Sequence, residues 1–213
     1  TQWLESLTDF ETGNAPNIGA NDGALLFHFF NFKFRDFRHS VQWANFIFCN
    51  RIISGLSESQ KNLFQLFGLN YSDLEVVEPI CDIQILGNKD GFYIYRKKSL
   101  LLVFRRPIFV FRPSHADALH IDLWLNGKNV LRDGGSYSYS TEIDKYNYYK
   151  GTFSHNTIIF DGKSQMPSIS KFLFGSWLKE SHFKLFETSE KLTKYSIKRS
   201  PTLDLRVQLL SIP

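Results

Sequence analysis

Along the first third of the chain the apolar residues recur every three or four positions, and along the remainder they alternate. In FRDFRHSVQWANFIFCNRII the residues Phe37, Val41, Ala44, Phe48 and Ile52 fall on one face at helical spacing, with Asp36 placed to cap the segment. Ser57 and Gln60 then form the S-x-x-Q pattern of a capping box. Leu63, Phe64, Leu66 and Phe67 supply an apolar face before Gly68, which predicts a second helix antiparallel to the first. From about Val76 the period becomes two. CDIQILG, FYIYRK and SLLLVFRR read as strands separated by turn text such as Gly87-Asn88-Lys89-Asp90-Gly91. In ALHIDLWL the residues Leu119, Ile121, Leu123 and Leu125 point to one side and His120, Asp122 and Trp124 to the other. Asn126-Gly127 supplies a hairpin turn back through KNVLRD. HNTIIF with Asp161-Gly162 repeats the device, and HFKLFE, TKYSIKRS and LDLRVQLL predict later strands. Many short strands without intervening helices imply an antiparallel sandwich, so the expected class is α+β, mainly β.

Bulk composition changes this picture little. The 213 residues are 43% hydrophobic, enough for a real core, and the net charge of +4 is spread among acids instead of gathered in a run. Nucleic-acid binding gains little support from that distribution, short clusters such as Arg96-Lys97-Lys98 and Arg105-Arg106 apart, whereas a mild positive surplus suits an acidic polymer. Aromatic content of 16% fits pleated surfaces and also the stacking of sugar rings. Cys49, in the helical segment, and Cys81, at the start of the β pattern, read as buried free thiols. No apolar run reaches the length of a membrane span, and TQWLESLTDFETGN is not a signal peptide. The start lacks Met and the end stops within strand-like text, so a piece of a longer polypeptide is expected; a homo-oligomer is left open.

His115, Asp133 and His155 each lie beside a turn or strand end in the β-rich part. Two imidazoles and one carboxylate suit Zn²⁺ or another divalent ion, and leave a coordination position for water or substrate. Their spacing is too long for a local zinc knuckle, so only neighbouring strands can bring them together. The plain alternative is that each histidine is a surface residue or a satisfied member of the core.

Around those residues, RPSHADALHIDLWLNGKNVLRDGGSYSYS followed by GTFSHNTIIFDGKSQMP resembles the C-terminal β-sandwich of the heparinase II/III-like polysaccharide lyases, and PNIGANDGALLF resembles the segment closing their helical toroid. The text is nearest to members from bacterial surface-polysaccharide clusters. The resemblance implies that residues 1–75 end an (α/α) toroid and that 76–213 form the sandwich. It also implies β-elimination on uronate-containing polysaccharide, outside the bacterial cytoplasm in the periplasm or beyond. By motif, His115, Asp133 and His155 correspond to the family's metal ligands, usually of zinc. The main proton-handling residues would precede Thr1, so the chain alone is expected to be a poor catalyst.

Within the chain, Asn17, Asn21, Asp22 and Tyr137 are candidate substrate-binding residues, and Tyr139 and Arg112 candidate catalytic ones. Arg112 is chosen because a guanidinium matches a carboxylate bidentately. Turn-stabilising Asn and Asp, a buried Tyr and a strand-edge salt bridge are the corresponding structural roles. Tyr146, Tyr148, Tyr149 and Lys150 form a further cluster of lesser promise. His120 is expected to face solvent or to support a ligand from behind; His28, His39 and His182 are expected to be structural. Several characterised lyases carry a further His two residues ahead of the first ligand, where this chain has Pro113, a side chain with no donor or acceptor. Two alternatives therefore stand beside the lyase: a non-catalytic carbohydrate-binding or surface-polysaccharide assembly protein that keeps the metal as structure, and metal-assisted hydrolysis, for which no neighbouring general base is evident.

Overall fold

Five consecutive strands, β3 (Asp82–Leu86), β4 (Phe92–Lys97), β5 (Leu100–Arg105), β6 (Ile121–Leu125) and β7 (Lys128–Leu131), pair in sequence order as one antiparallel meander. The computed structural model describes residues 1–21, 23, 33–55, 57–86, 91–179 and, for the backbone, 182–188, 192–199 and 203–210. Period-two sequence places apolar side chains on both faces of this sheet. Ile94, Leu101, Val103 and Trp124 make one buried cluster with Leu7, and Tyr93, Leu102 and Phe104 make the other. The β6–β7 hairpin closes through Asn126 and Gly127, both at positive φ (48° and 70°).

Helix α1 (Gln2–Leu7) covers the first face, where Leu7 enters the cluster and Trp3 meets Phe92 edge-on. Arg96 of β4 is buried beneath it and donates to the carbonyls of Ser6 and Thr8, satisfying acceptors at the helix end. The next helix, α2 (Arg38–Cys49), has Phe37 at its N-cap position. The Asp36 carboxylate nonetheless accepts the Arg38 N–H. The helix stops at Asn50 in left-handed geometry, so Ile52 belongs to β1 (Arg51–Ile53), which pairs in parallel with β2 (Glu75–Val77). The expected apolar stripe is corrected here: Phe48 is exposed, and the buried positions are Val41, Gln42 and Asn45. Gln42 substitutes for a strand neighbour, its amide bonding both the N–H and the carbonyl of Ile53.

Helix α3 (Glu58–Leu66) begins with the expected capping box, in which Ser57 and Gln60 satisfy each other's backbone N–H. Leu63 and Phe64 are buried while Leu66 and Phe67 are exposed. Within the β-rich part, elements also arise where no helix or strand was expected. Helix α4 (Ile143–Lys150) interrupts the β-rich region, and a short pair, β8 (Ser168–Ser170) with β9 (Leu173–Phe174), follows it. Conversely HNTIIF is not a strand; only a Phe160–Lys163 bridge closes over Asp161-Gly162. The last strands, β10 (His182–Thr188), β11 (Leu192–Arg199) and β12 (Leu203–Leu210), form a separate antiparallel sheet as expected. Both cysteines are free, but exposed where burial was expected.

Candidate metal centre

Strand β6 presents its polar side inward, which inverts the usual arrangement of a half-buried strand. His120 and Asp122, together with Trp124, are almost wholly buried, on the side of the sheet that carries Ile94 and Val103. Of the two roles expected for His120, facing solvent or supporting a ligand from behind, burial leaves the second. A buried carboxylate needs donors, and Asp122 finds them: Trp124 Nε1–H at 2.6 Å, Asp133 N–H at 3.3 Å and the Asn129 amide at 3.4 Å. Asp122 thus anchors the segment that leaves β7 and carries Asp133.

Two glycines shape that segment. Gly134 packs against Ser154, whose carbonyl accepts its N–H at 3.1 Å; a Cβ there would lie 2.8 Å from that carbonyl oxygen. Gly135 has φ of 68° and lies against the Asn17 amide, leaving no room for a side chain. The close approach to Ser154 brings Asp133 beside His155, which follows a 3-10 turn at Thr152–Ser154. On the other side, Thr152 donates to the Ala116 carbonyl and Ala116 N–H bonds the Lys150 carbonyl, which fixes the position of His115.

His115, Asp133 and His155 consequently converge, with one ligand atom from each lying within 4.8 Å of the others. All three are buried. Asp133 Oδ1 accepts the Gly135 N–H at 2.7 Å, while Oδ2 points to His155 Nδ1 at 3.3 Å without hydrogen-bond geometry. His115 Nε2 bonds the Ser136 hydroxyl at 3.0 Å. Four buried atoms remain without a hydrogen-bond partner: His115 Nδ1, Asp133 Oδ2, and both ring nitrogens of His155. Orphaned polar atoms in a native interior cost about 1–3 kcal/mol each, so the convergence of one such atom from each residue calls for a shared partner. Donors on one tetrahedral zinc, with bonds of about 2.0–2.2 Å, stand roughly 3.3–3.6 Å apart. A trio within 4.8 Å could hold a divalent ion once the side chains draw in to that spacing.

His120 stands behind the trio. Its Nδ1 accepts the Asn156 N–H at 3.0 Å, so Nε2 carries the proton, 3.4 Å from Asp133 Oδ2 and 3.9 Å from Asp122 Oδ2. Electrostatics agree with a preformed cation site. Burial pushes the His115 imidazole below its ordinary value and keeps it neutral, as a ligand must be. For Asp133, burial acts upward, but His155, His120 and the Gly135 N–H outweigh it and hold the carboxyl below the usual range.

Asp133 also borders an open cleft of about 550 Å³, lined by Asn17, Asn21, Arg35, Arg132, Tyr137 and Tyr149 among others. Ser136 joins cleft to centre: its hydroxyl meets His115 and accepts the Asn21 N–H at 3.0 Å. Tyr137, at φ of 57°, stacks on Tyr149 with centroids 5.1 Å apart and planes 10° from parallel. Of the substrate-binding candidates, Asn17, Asn21 and Tyr137 thus meet in one place, whereas Asp22 lies outside the described residues. Tyr139 and Arg112 do not line this cleft. Tyr139 meets Phe172 edge-on and its carbonyl binds Lys171, and Arg112 is exposed elsewhere. Lys150 is buried, donating to Ser168, Ser170 and Lys171, and ties α4 to the β8–β9 pair. His39 is half-buried in α2; His28 and the side chain of His182 lie outside the described residues. Sequence reasoning missed Arg35 and Arg132, although Arg132 is adjacent to the carboxylate it singled out.

A family described as heparinase II/III-like, C-terminal, matches residues 85–200, the stretch that holds this whole trio. The chain belongs to that family. A heparin-sulfate lyase of Bacteroides stercoris is 28% identical over 109 residues, covering 47% of this chain and 16% of the relative. Among solved structures, the heparan sulfate lyase HepC from Pedobacter heparinus superposes with a TM-score of 0.52 at 19% identity, over 95% of this chain and 28% of that one. A heparinase III structure gives 0.52 at 15% identity, over 97% and 30%. At such identities the likeness to the solved heparinases is one of fold. This heparinase II/III-like chain spans 16% of the length of the curated relative.

Proposed function

We propose that this chain is the metal-bearing portion of a polysaccharide lyase that cleaves uronate-containing polysaccharide by β-elimination. The observation carrying this reading is the convergence of His115, Asp133 and His155, each with an orphaned donor atom, at the wall of a cleft that also holds two guanidiniums. Membership of the heparinase II/III-like family, and a relative named as a heparin-sulfate lyase, support it. On this reading residues 1–75 close a helical toroid, 76–213 form the sandwich, and the protein works in the bacterial periplasm or outside the cell on an acidic surface polysaccharide.

β-Elimination breaks the C5–H bond and the C4–O4 bond of the uronate-containing chain and forms a C4=C5 double bond. It needs the carboxylate neutralised, the C5 proton accepted and the departing O4 protonated. His115 Nδ1, Asp133 Oδ2 and His155 would hold the ion, zinc by preference of the donor set, and a bound divalent ion supplies fixed positive charge beside the cleft. Asp122 and His120 keep the Asp133 carboxylate in place, and Ser136 holds His115 and the Asn21 backbone together. Asn17 and Asn21 offer amides to sugar hydroxyls, and the Tyr137–Tyr149 pair offers a stacking surface. Pro113 supplies no proton, so proton transfer falls to other residues.

Incubating the full-length protein with uronate-bearing polysaccharide should raise ultraviolet absorbance as unsaturated uronate ends accumulate, and Asp133→Ala should abolish both the rise and the bound metal. Bound glycan and metal with no absorbance change would overturn the lyase reading.

A further inference from the structure

The cleft contains two guanidiniums in very different circumstances. Arg35 is half-buried and committed: Nε donates to Asn14 Oδ1 at 2.6 Å, Nη2 to the Ala15 carbonyl at 2.6 Å and Nη1 to Asn17 Oδ1 at 3.4 Å. It fixes the Asn14–Asn17 loop and the orientation of the Asn17 amide. Arg132 is exposed, and its guanidinium has no hydrogen bond or ion pair among the described residues. The two are close enough to repel: the Arg35 guanidinium is lowered by burial first and by the charge of Arg132 second. Like charges placed together in a concave site are a cost unless an anion joins them. Among the described residues the only acid in the lining is Asp133, whose carboxylate accepts the Gly135 N–H and faces His155.

We propose that Arg132 is the arm that recognises an anionic substituent of the bound glycan, a carboxylate or a sulfate ester, with Arg35 adding charge from behind and holding Asn17 at the same sugar. The guanidinium fork suits either anion, since both present two oxygens in a plane. Position supports the assignment. Arg132 directly precedes Asp133, and its own carbonyl accepts the Asn156 amide at 3.0 Å, so the backbone from which it reaches is fixed on both sides. The stacked tyrosines on the same wall offer a ring-sized platform beside the charge. This deepens the lyase reading by naming the group that selects the acidic sugar, and it takes over the role that Arg112 was expected to fill.

Calorimetric titration of the metal-loaded chain tests it with three hexasaccharides: an unsulfated uronate-bearing one, its sulfated form, and a carboxyl-reduced neutral one. Wild-type protein should bind the acidic probes at least about tenfold more tightly than the neutral one, the difference expected of a charge-assisted pair. Arg132→Gln should remove that difference while leaving the neutral probe and the melting temperature unchanged, and Arg132→Lys should restore part of it. A loss on the unsulfated probe assigns the carboxylate, and a loss confined to the sulfated probe assigns the ester. Equal binding of acidic probes by Arg132→Gln and wild type, or no preference in the wild type, would overturn the proposal. Titration reads binding and not turnover, so an inactive full-length protein would sink the lyase reading and leave this one intact.

Discussion

His120 is the residue whose behaviour most directly probes the centre. Its proton sits between two buried carboxylates, nearer Asp133, and its other nitrogen is held by the Asn156 backbone. Supports of this kind behind a ligand are typically worth about 10–100-fold in metal affinity. His120→Gln should therefore bind zinc about 10–100-fold more weakly in competition with a chromophoric chelator, with its far-ultraviolet circular dichroism unchanged. Affinity equal to wild type would show that Asp133 needs no such support. The trio itself was legible from residue type and position beside turns. The orientation of His120 was not, because alternation in ALHIDLWL shows that two faces differ without showing which is buried. That choice is made by Asp122, which collects three donors inside the fold. Arg35 was hidden for a different reason: its partners are Asn and backbone groups more than fifteen residues away, which no local pattern reveals.

At the scale of elements, capping and turn chemistry read best from sequence and packing partners read worst. The S-x-x-Q box opens α3 as expected, and Ser57→Ala should lower stability by about 1 kcal/mol in urea unfolding, with no effect on metal content. Helix α4 was missed because its polar and aromatic residues lack a helical stripe; only Tyr146 and Lys150 are buried, and Lys150 is held by hydrogen bonds to Ser168 and two backbone carbonyls. The turn after β7 offers a sharper test of how the cleft is shaped. Gly135→Ala places a methyl group against Asn17 on backbone of positive φ, so glycan binding should weaken while zinc is retained. Zinc lost in parallel with glycan would mean that the turn and the centre distort as one unit.

Over the whole molecule, the candidate metal centre and the hydrophobic sheet share one interior, since the β6 face bearing His120 and Asp122 continues into Trp124 and the Ile94 cluster. The heparinase II/III-like match and the antiparallel meander agree with the expected mainly β class, and among the described residues no helix is long and apolar enough to cross a membrane. Acid should destabilise this interior. Burial holds His115 and His39 below the ordinary imidazole value of 6.5, so the unfolded chain binds more protons than the folded one. Stability is then complete above that value and declines as pH falls through the folded values. Urea midpoints of chelator-treated protein should drop from pH 8 to pH 5, and added zinc should raise the pH 8 midpoint. A flat profile would mean that neither imidazole is neutral in the fold. Cys49 and Cys81 lie on the outside and do not line the cleft. Accessible thiols on separate copies couple in air, so a dimer on a sizing column reflects native assembly only if it survives a reducing agent.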